Sequence, residues 1–193
     1  MSDHQFFGYG SLVNVGTHAY ANPRPATLAG WRRIWVHSAL RPLAFLSVEP
    51  ADAEIQGLVA EVPGGDWAAL DARERAYDKH PVTLRLNGSA TPAVETPARV
   101  YAVPVRHAAP PDTRHPVLLS YIDTVIQGFL QVYGATGAAE FFASTAGWDA
   151  PILDDRSAPR YSRATTLSPA ERAIVDHHLS LVHRSGPVAS AGN

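Results

Sequence analysis

Short apolar runs occupy the first hundred positions of this chain, and apolar residues at helical spacing occupy most of the rest. Residues 5–9 form a brief apolar run that meets Gly8 and Gly10. Residues 27–38 carry Trp31, Ile34, Trp35 and Val36, and residues 43–48 stay apolar up to Pro50. Residues 55–62 are rich in Val and Leu and stop at Pro63-Gly64-Gly65. Residues 82–86 alternate Val, Leu and Leu with Thr and Arg, then reach the turn pair Asn87-Gly88; residues 99–103 supply a partner. Runs of this kind, bounded by Pro and Gly, predict six strands.

One helix is predicted among the strands, over 67–77, behind an Asp66 N-cap. At about 100° per residue, Trp67, Leu70, Glu74 and Tyr77 share an arc of roughly 80°. Glu74 therefore points with the apolar residues, toward the sheet. Beyond Pro110-Pro111, the spacing of Leu118, Tyr121, Ile122, Val125, Phe129 and Val132 predicts a helix over 116–133 that Gly134 closes. A short helix over 138–146 precedes Gly147. Ser168-Pro169-Ala170-Glu171 is a capping box that opens a helix to about His183. The small polar residues 185–193 are expected to fray. Strands first and helices late indicate an α+β class. The expected architecture is a small mixed or antiparallel sheet curling into a β-barrel around a pocket. Helices pack around it, and the C-terminal portion is helical.

Composition narrows the chemistry. A length of 193 residues fits a single domain, 1–193, and 46% hydrophobic residues can build its core. The net charge of -2 and the absence of a basic run argue against nucleic acid or an anionic membrane as partner. The chain has no cysteine, which rules out thiol nucleophiles, disulfides and thiolate zinc sites. That fits a reducing compartment, and the expected location is cytoplasmic. The first residues lack the pattern of a signal peptide. No apolar stretch approaches the ~20 residues that span a bilayer. The 16 prolines and 14 glycines are dispersed, so they mark turns rather than disorder.

Two segments carry candidate chemistry. In Tyr9-Gly10-Ser11-Leu12, glycine permits close backbone approach, and successive N–H groups after a strand can hold an anion. The same four residues also suit an ordinary strand-ending turn. Glu74 on an inward helix face is a costly carboxylate unless bonded. Desolvation would raise its pKa toward the range of a general base. It equally suits a structural glutamate paired with a nearby arginine.

Together, Tyr9-Gly10-Ser11-Leu12 after the first strand and Leu70-Asp71-x-x-Glu74 ahead of Tyr77 resemble the γ-glutamylcyclotransferase-like superfamily. That group includes γ-glutamylcyclotransferases, ChaC proteins and AIG2-like proteins. Tyr121 resembles a third family feature, a tyrosine near the substrate. The likeness covers roughly residues 5–134 and leaves 135–184 as a helical C-terminal extension. It implies a small barrel of five to seven strands with the loop and Glu74 facing one cavity. It also implies release of 5-oxoproline from a γ-glutamyl amide, with no cofactor. Glu74 would be the general acid/base, and the backbone of Gly10, Ser11 and Leu12 would hold the anionic end of the substrate. Tyr9 would wall the pocket and Tyr121 would donate a hydrogen bond. Many members have glycine after the glutamate. Here it is Arg75, a cation able to tune Glu74 or to meet a substrate carboxylate. A non-catalytic AIG2-like binding module is the competing expectation.

The remaining constellations read as structure. His177, His178 and His183 do not share one helix face, so a metal site is not expected there. Asp154-Asp155-Arg156 suits an ion-paired loop better than a Mg²⁺ site or a lid. Ser11 lies in no G-x-S-x-G elbow. Trp31 and Trp35 fall on one strand face and serve packing or a dimer surface. Asn87-Gly88-Ser89 matches a sequon but reads as a turn. The apolar late helices leave room for a homodimer, and the expected ligand is a small γ-glutamyl compound.

Overall fold

The computed structural model describes residues 4–39, 42–88 and 94–183, together with the backbone of 189–190. The expectations for Ser89 and for most of 185–193 lie outside the described residues.

Five strands close a mixed barrel with helices packed around it: β1 (Gln5–Gly8), β2 (Ala21–Ser38), β3 (Phe45–Glu61), β4 (Asp78–Leu86) and β5 (Glu95–Ala102). β1 lies between β3, antiparallel, and β5, parallel. β4 pairs antiparallel with β5 and touches β2 at Ala26↔Leu86 and Thr27↔Arg85. β2 pairs antiparallel with β3, which completes the ring.

The expected six strands are five because 43–48 and 55–62 belong to one strand, β3. Its pairing with β2 runs from Ala21↔Glu61 to Val36↔Phe45, so the stretch between the two apolar runs finds backbone partners as well. Pro50 sits opposite Trp31, beside a register shift at Gly30, whose φ is +81°. A bulge is where a ladder tolerates a residue without an N–H.

The first helix, α1 (Ala68–Arg73), is shorter than the predicted 67–77. Asp66 Oδ1 accepts the Ala68 N–H at 3.0 Å, while Trp67 takes the N-cap position. Glu74 leaves helical geometry (φ -97°, ψ 23°), and a turn from Tyr77 N–H to Glu74 O follows. Pairing of β4 with β5 begins at Asp78, so the chain must be extended by then. The helices predicted on either side of Gly134 form one element, α2 (Leu119–Ser144), broken where Gly134 takes φ +68°. α3 (Pro169–Val182) starts on the predicted capping box, with Ser168 N–H donating to Glu171 Oε2 at 2.6 Å.

β1 is buried on both faces, which explains its continuous apolar run. Phe7 joins the main core inside the barrel, and Phe6 joins a second cluster with Leu70 of α1 and Tyr101 of β5. The main core continues into Phe141, Trp148 and Val175, so the segment after Gly134 packs on the barrel. The Asp154-Asp155-Arg156 segment is a bonded loop. Asp155 accepts from Ser120 N–H and Oγ, and Arg156 bridges Asp123 and Asp176. Among the described residues no helix is long and apolar enough to cross a membrane.

Candidate active site

β1 ends at Gly8 and delivers a tight loop. A Cβ on Gly8 would stand 2.6 Å from Leu12 Cβ, so the chain folds back over this residue only because it is glycine. A short 3₁₀ turn, Ser11–Val13, follows, and its first turn bond is Val13 N–H to Gly10 O at 2.9 Å. The N–H groups of Ser11 and Leu12 precede that bond and take no acceptor among the described residues, as at any helix start. The loop is pinned from behind. Thr17 Oγ1 donates to Ser11 O at 2.9 Å, and buried Asn14 donates to Thr124 O at 2.9 Å. A Cβ on Gly128 of α2 would come within 2.5 Å of Asn14 N, so helix and loop touch backbone to backbone.

Glu74 reaches the same place from α1. It lines a cavity of about 30 Å³ together with Tyr9, Gly10, Ser11, Leu12 and Tyr121. The structure thus brings every predicted site residue to one hollow. Glu74 is 14% exposed and is the one carboxylate among the cavity's lining residues.

The cation beside Glu74 is Arg73, not Arg75, which is exposed. Arg73 Nε stands 3.2 Å from Glu74 Oε1, and its terminal nitrogens donate to Ser11 Oγ at 3.3 Å and Thr17 O at 3.2 Å. One guanidinium therefore ties the carboxylate to the loop. The helix ends at Arg73, and the turn that follows sends Arg75 outward.

Four tyrosines line the cavity: Tyr9, Tyr77, Tyr101 and Tyr121. The Tyr9 hydroxyl donates to Tyr101 O at 2.6 Å, which makes Tyr9 a braced wall. Burial pushes its pKa well above the ordinary value, and Tyr77 and Glu74 add to the effect. Tyr121 is raised mainly by burial, then by Tyr161 and Glu74. Its hydroxyl would stand 3.0 Å from a Cβ on Gly10. Tyr101 is raised by burial and by its hydrogen bond to Asp71. These three hydroxyls remain neutral donors at physiological pH. Tyr161, from beyond Gly134, packs edge-on against Tyr121 at 5.0 Å, so the extension supports the site.

Sequence reasoning passed over Arg73, Leu46 and Tyr101 as site residues and used Tyr77 as a helix-face marker and as part of the family resemblance. Arg73 carried a signal in its adjacency to Glu74. Tyr101 carried none, because it arrives through the pairing of β5 beside β1.

A sequence model of the gamma-glutamyl cyclotransferase, AIG2-like family matches residues 6–119, which hold the loop and Glu74 and stop just short of Tyr121. No curated protein matches the chain by sequence. Among solved structures, a gamma-glutamyl cyclotransferase superposes with a TM-score of 0.58 at 14% identity, over 90% of this chain and 98% of that one. An uncharacterised protein from Homo sapiens does so at 0.59 and 15% identity, over the same shares, 90% and 98%. YkqA from Bacillus subtilis does so at 0.55 and 14% identity, over 96% of this chain and 57% of that one. At such identities the likeness is one of fold.

Proposed function

Because this chain belongs to the gamma-glutamyl cyclotransferase, AIG2-like family, we propose that it releases 5-oxoproline from a small γ-glutamyl amide. The observation that carries the reading is the cavity itself: one carboxylate, Glu74, shares it with the Ser11 and Leu12 backbone. The substrate supplies its own nucleophile. Its α-amine attacks the γ-carbonyl carbon, a five-membered ring forms, and the bond to the leaving amine breaks. The reaction is intramolecular, so the protein's task is to select a near-attack conformer and to move a proton. Glu74 takes a proton from the α-ammonium before attack and gives it to the departing nitrogen; the ring nitrogen loses its second proton as the C–N bond breaks, and the amine leaves as an ammonium. The N–H groups of Ser11 and Leu12 meet the negative oxygen. Tyr121 donates to the substrate, and Tyr9 holds the wall.

The cavity has room for a water or two, less than a γ-glutamyl group. Entry of a substrate therefore requires the cavity to widen. The Arg73–Glu74 pair supports a second reading, a non-catalytic AIG2-like binding module in which Glu74 is structural.

The test is mass detection of 5-oxoproline from a panel of γ-glutamyl amino acids, γ-glutamylamines and glutathione. Glu74→Gln is expected to keep the fold and ligand binding and to lose about 10²–10⁴-fold in turnover. Product at the parent rate from Glu74→Gln would remove Glu74 from the mechanism. No product from the parent protein on any member of the panel would favour the binding module instead.

A further inference from the structure

A second, larger hollow of about 580 Å³ opens beyond Arg33, lined by Gln56, Asn87, Glu140, Ala143 and Ser144 among others. It lies within the size range of small-molecule sites. Arg33 is 1% exposed, and no carboxylate among the described residues pairs with it. Three oxygens accept its N–H groups: Tyr9 O from Nε at 3.0 Å, Ser144 Oγ from Nη1 at 3.0 Å, and Gln56 O from Nη2. Phe129 and Phe141 each lie 5.0 Å from the guanidinium carbon. Burial pushes its pKa down to about 9, so the group is still a cation at neutral pH.

A buried cation without a counter-charge is expensive. A guanidinium has five N–H groups, so two remain on the terminal nitrogens. Those nitrogens are the ones whose partners, Ser144 and Gln56, also line the hollow. Gln56 Oε1 is buried there and accepts nothing among the described residues. Glu140 stands exposed at the rim. The hollow thus has a positive charge and an idle acceptor just behind its wall, with Glu140 and the Arg85–Glu54 ion pair on it.

We infer that this hollow is a binding site for a small amino-acid or peptide zwitterion, with its carboxylate on Arg33 and its ammonium toward Gln56 Oε1 and Glu140. Arg33 also holds the Tyr9 carbonyl, so occupancy reaches the Tyr9–Leu12 loop through one side chain. The inference stands apart from the γ-glutamyl reading, because it is tested by binding without turnover.

The probes are L-alanyl-L-alanine, its N-acetyl derivative and its C-terminal amide, titrated into ¹⁵N-labelled protein and followed by NMR. The free dipeptide is expected to shift the Arg33 Nε–H and the Gly10 amide saturably. Each capped form is expected to bind about tenfold or more weakly, the usual consequence of losing one charged contact. Ala143→Trp, an exposed position on the hollow's lining, is expected to abolish the shifts with the spectrum otherwise intact. Glu74→Gln is expected to leave them unchanged. Any of four results overturns the proposal: no saturable shift, equal binding of the capped peptides, shifts that survive in Ala143→Trp, or Arg33 shifts without movement of Gly10.

Discussion

Removing one oxygen atom from Tyr9 separates bracing from catalysis. In Tyr9→Phe the ring keeps its place in the barrel core, and the 2.6 Å bond to Tyr101 O is lost together with a contact to the Ser47 hydroxyl. Both residues are buried, with Tyr9 7% and Tyr101 4% exposed, so water cannot readily replace the missing donor. Leaving a buried carbonyl short of a donor costs about 1–2 kcal/mol. In a chain of this length each kcal/mol moves the melting midpoint by roughly 2–4 °C, so the variant should melt about 2–8 °C lower. Urea denaturation should give the same loss at an unchanged m-value. Turnover should fall less than about fivefold, because the hydroxyl points at the protein and away from the substrate. A Tyr9→Phe protein as stable as the parent but without activity would refute this. It would make the hydroxyl a catalytic donor and the bond to Tyr101 incidental.

Other outcomes follow from the same geometry. Arg73→Met should lower turnover by about tenfold or more, because it frees Glu74 and Ser11 from a common anchor, whereas Arg75→Met at an exposed position should change neither rate nor stability by more than about 0.5 kcal/mol; paired steady-state assays separate the two. Stability should decline as pH rises above about 10, because tyrosines ionise there in the unfolded chain while Tyr9, Tyr101 and Tyr121 stay protonated when folded, so the unfolded state binds fewer protons and gains with pH. Tyr133, raised to about 12 mainly by burial, adds to that decline up to about pH 12; urea midpoints between pH 8 and 12 check the sign. Ser168→Ala should cost about 1 kcal/mol by removing the α3 cap, with activity unchanged, since α3 contributes nothing to the candidate active-site cavity.

Local pattern alone determined a good deal of this protein. The Ser168 capping box, the break at Gly134 and the strand that ends in Tyr9-Gly10-Ser11-Leu12 are short-range events, set by side chains within a few residues of one another. Such events depend on backbone freedom and capping, which neighbouring residues supply. The order of strands before helices was legible for the same reason. Glu74 was legible as an inward carboxylate, although it stands at the end of a shorter helix than its periodicity suggested.

Tertiary structure decided the rest. Whether 43–48 and 55–62 are two strands or one depends on what lies beside them, and β2 pairs along the whole length. The length of α1 was settled by where β4 must begin to meet β5. Arg73 rather than Arg75 faces Glu74 because the chain turns there, and Tyr101 enters the cavity only because β5 lies beside β1. Arg33 is an ordinary strand residue in the sequence. It becomes a buried cation between two hollows only when α2 brings Phe129, Phe141 and Ser144 against it. Partners separated by about a hundred residues leave no trace in local periodicity, because what joins them is the closing of the barrel and not the chain between.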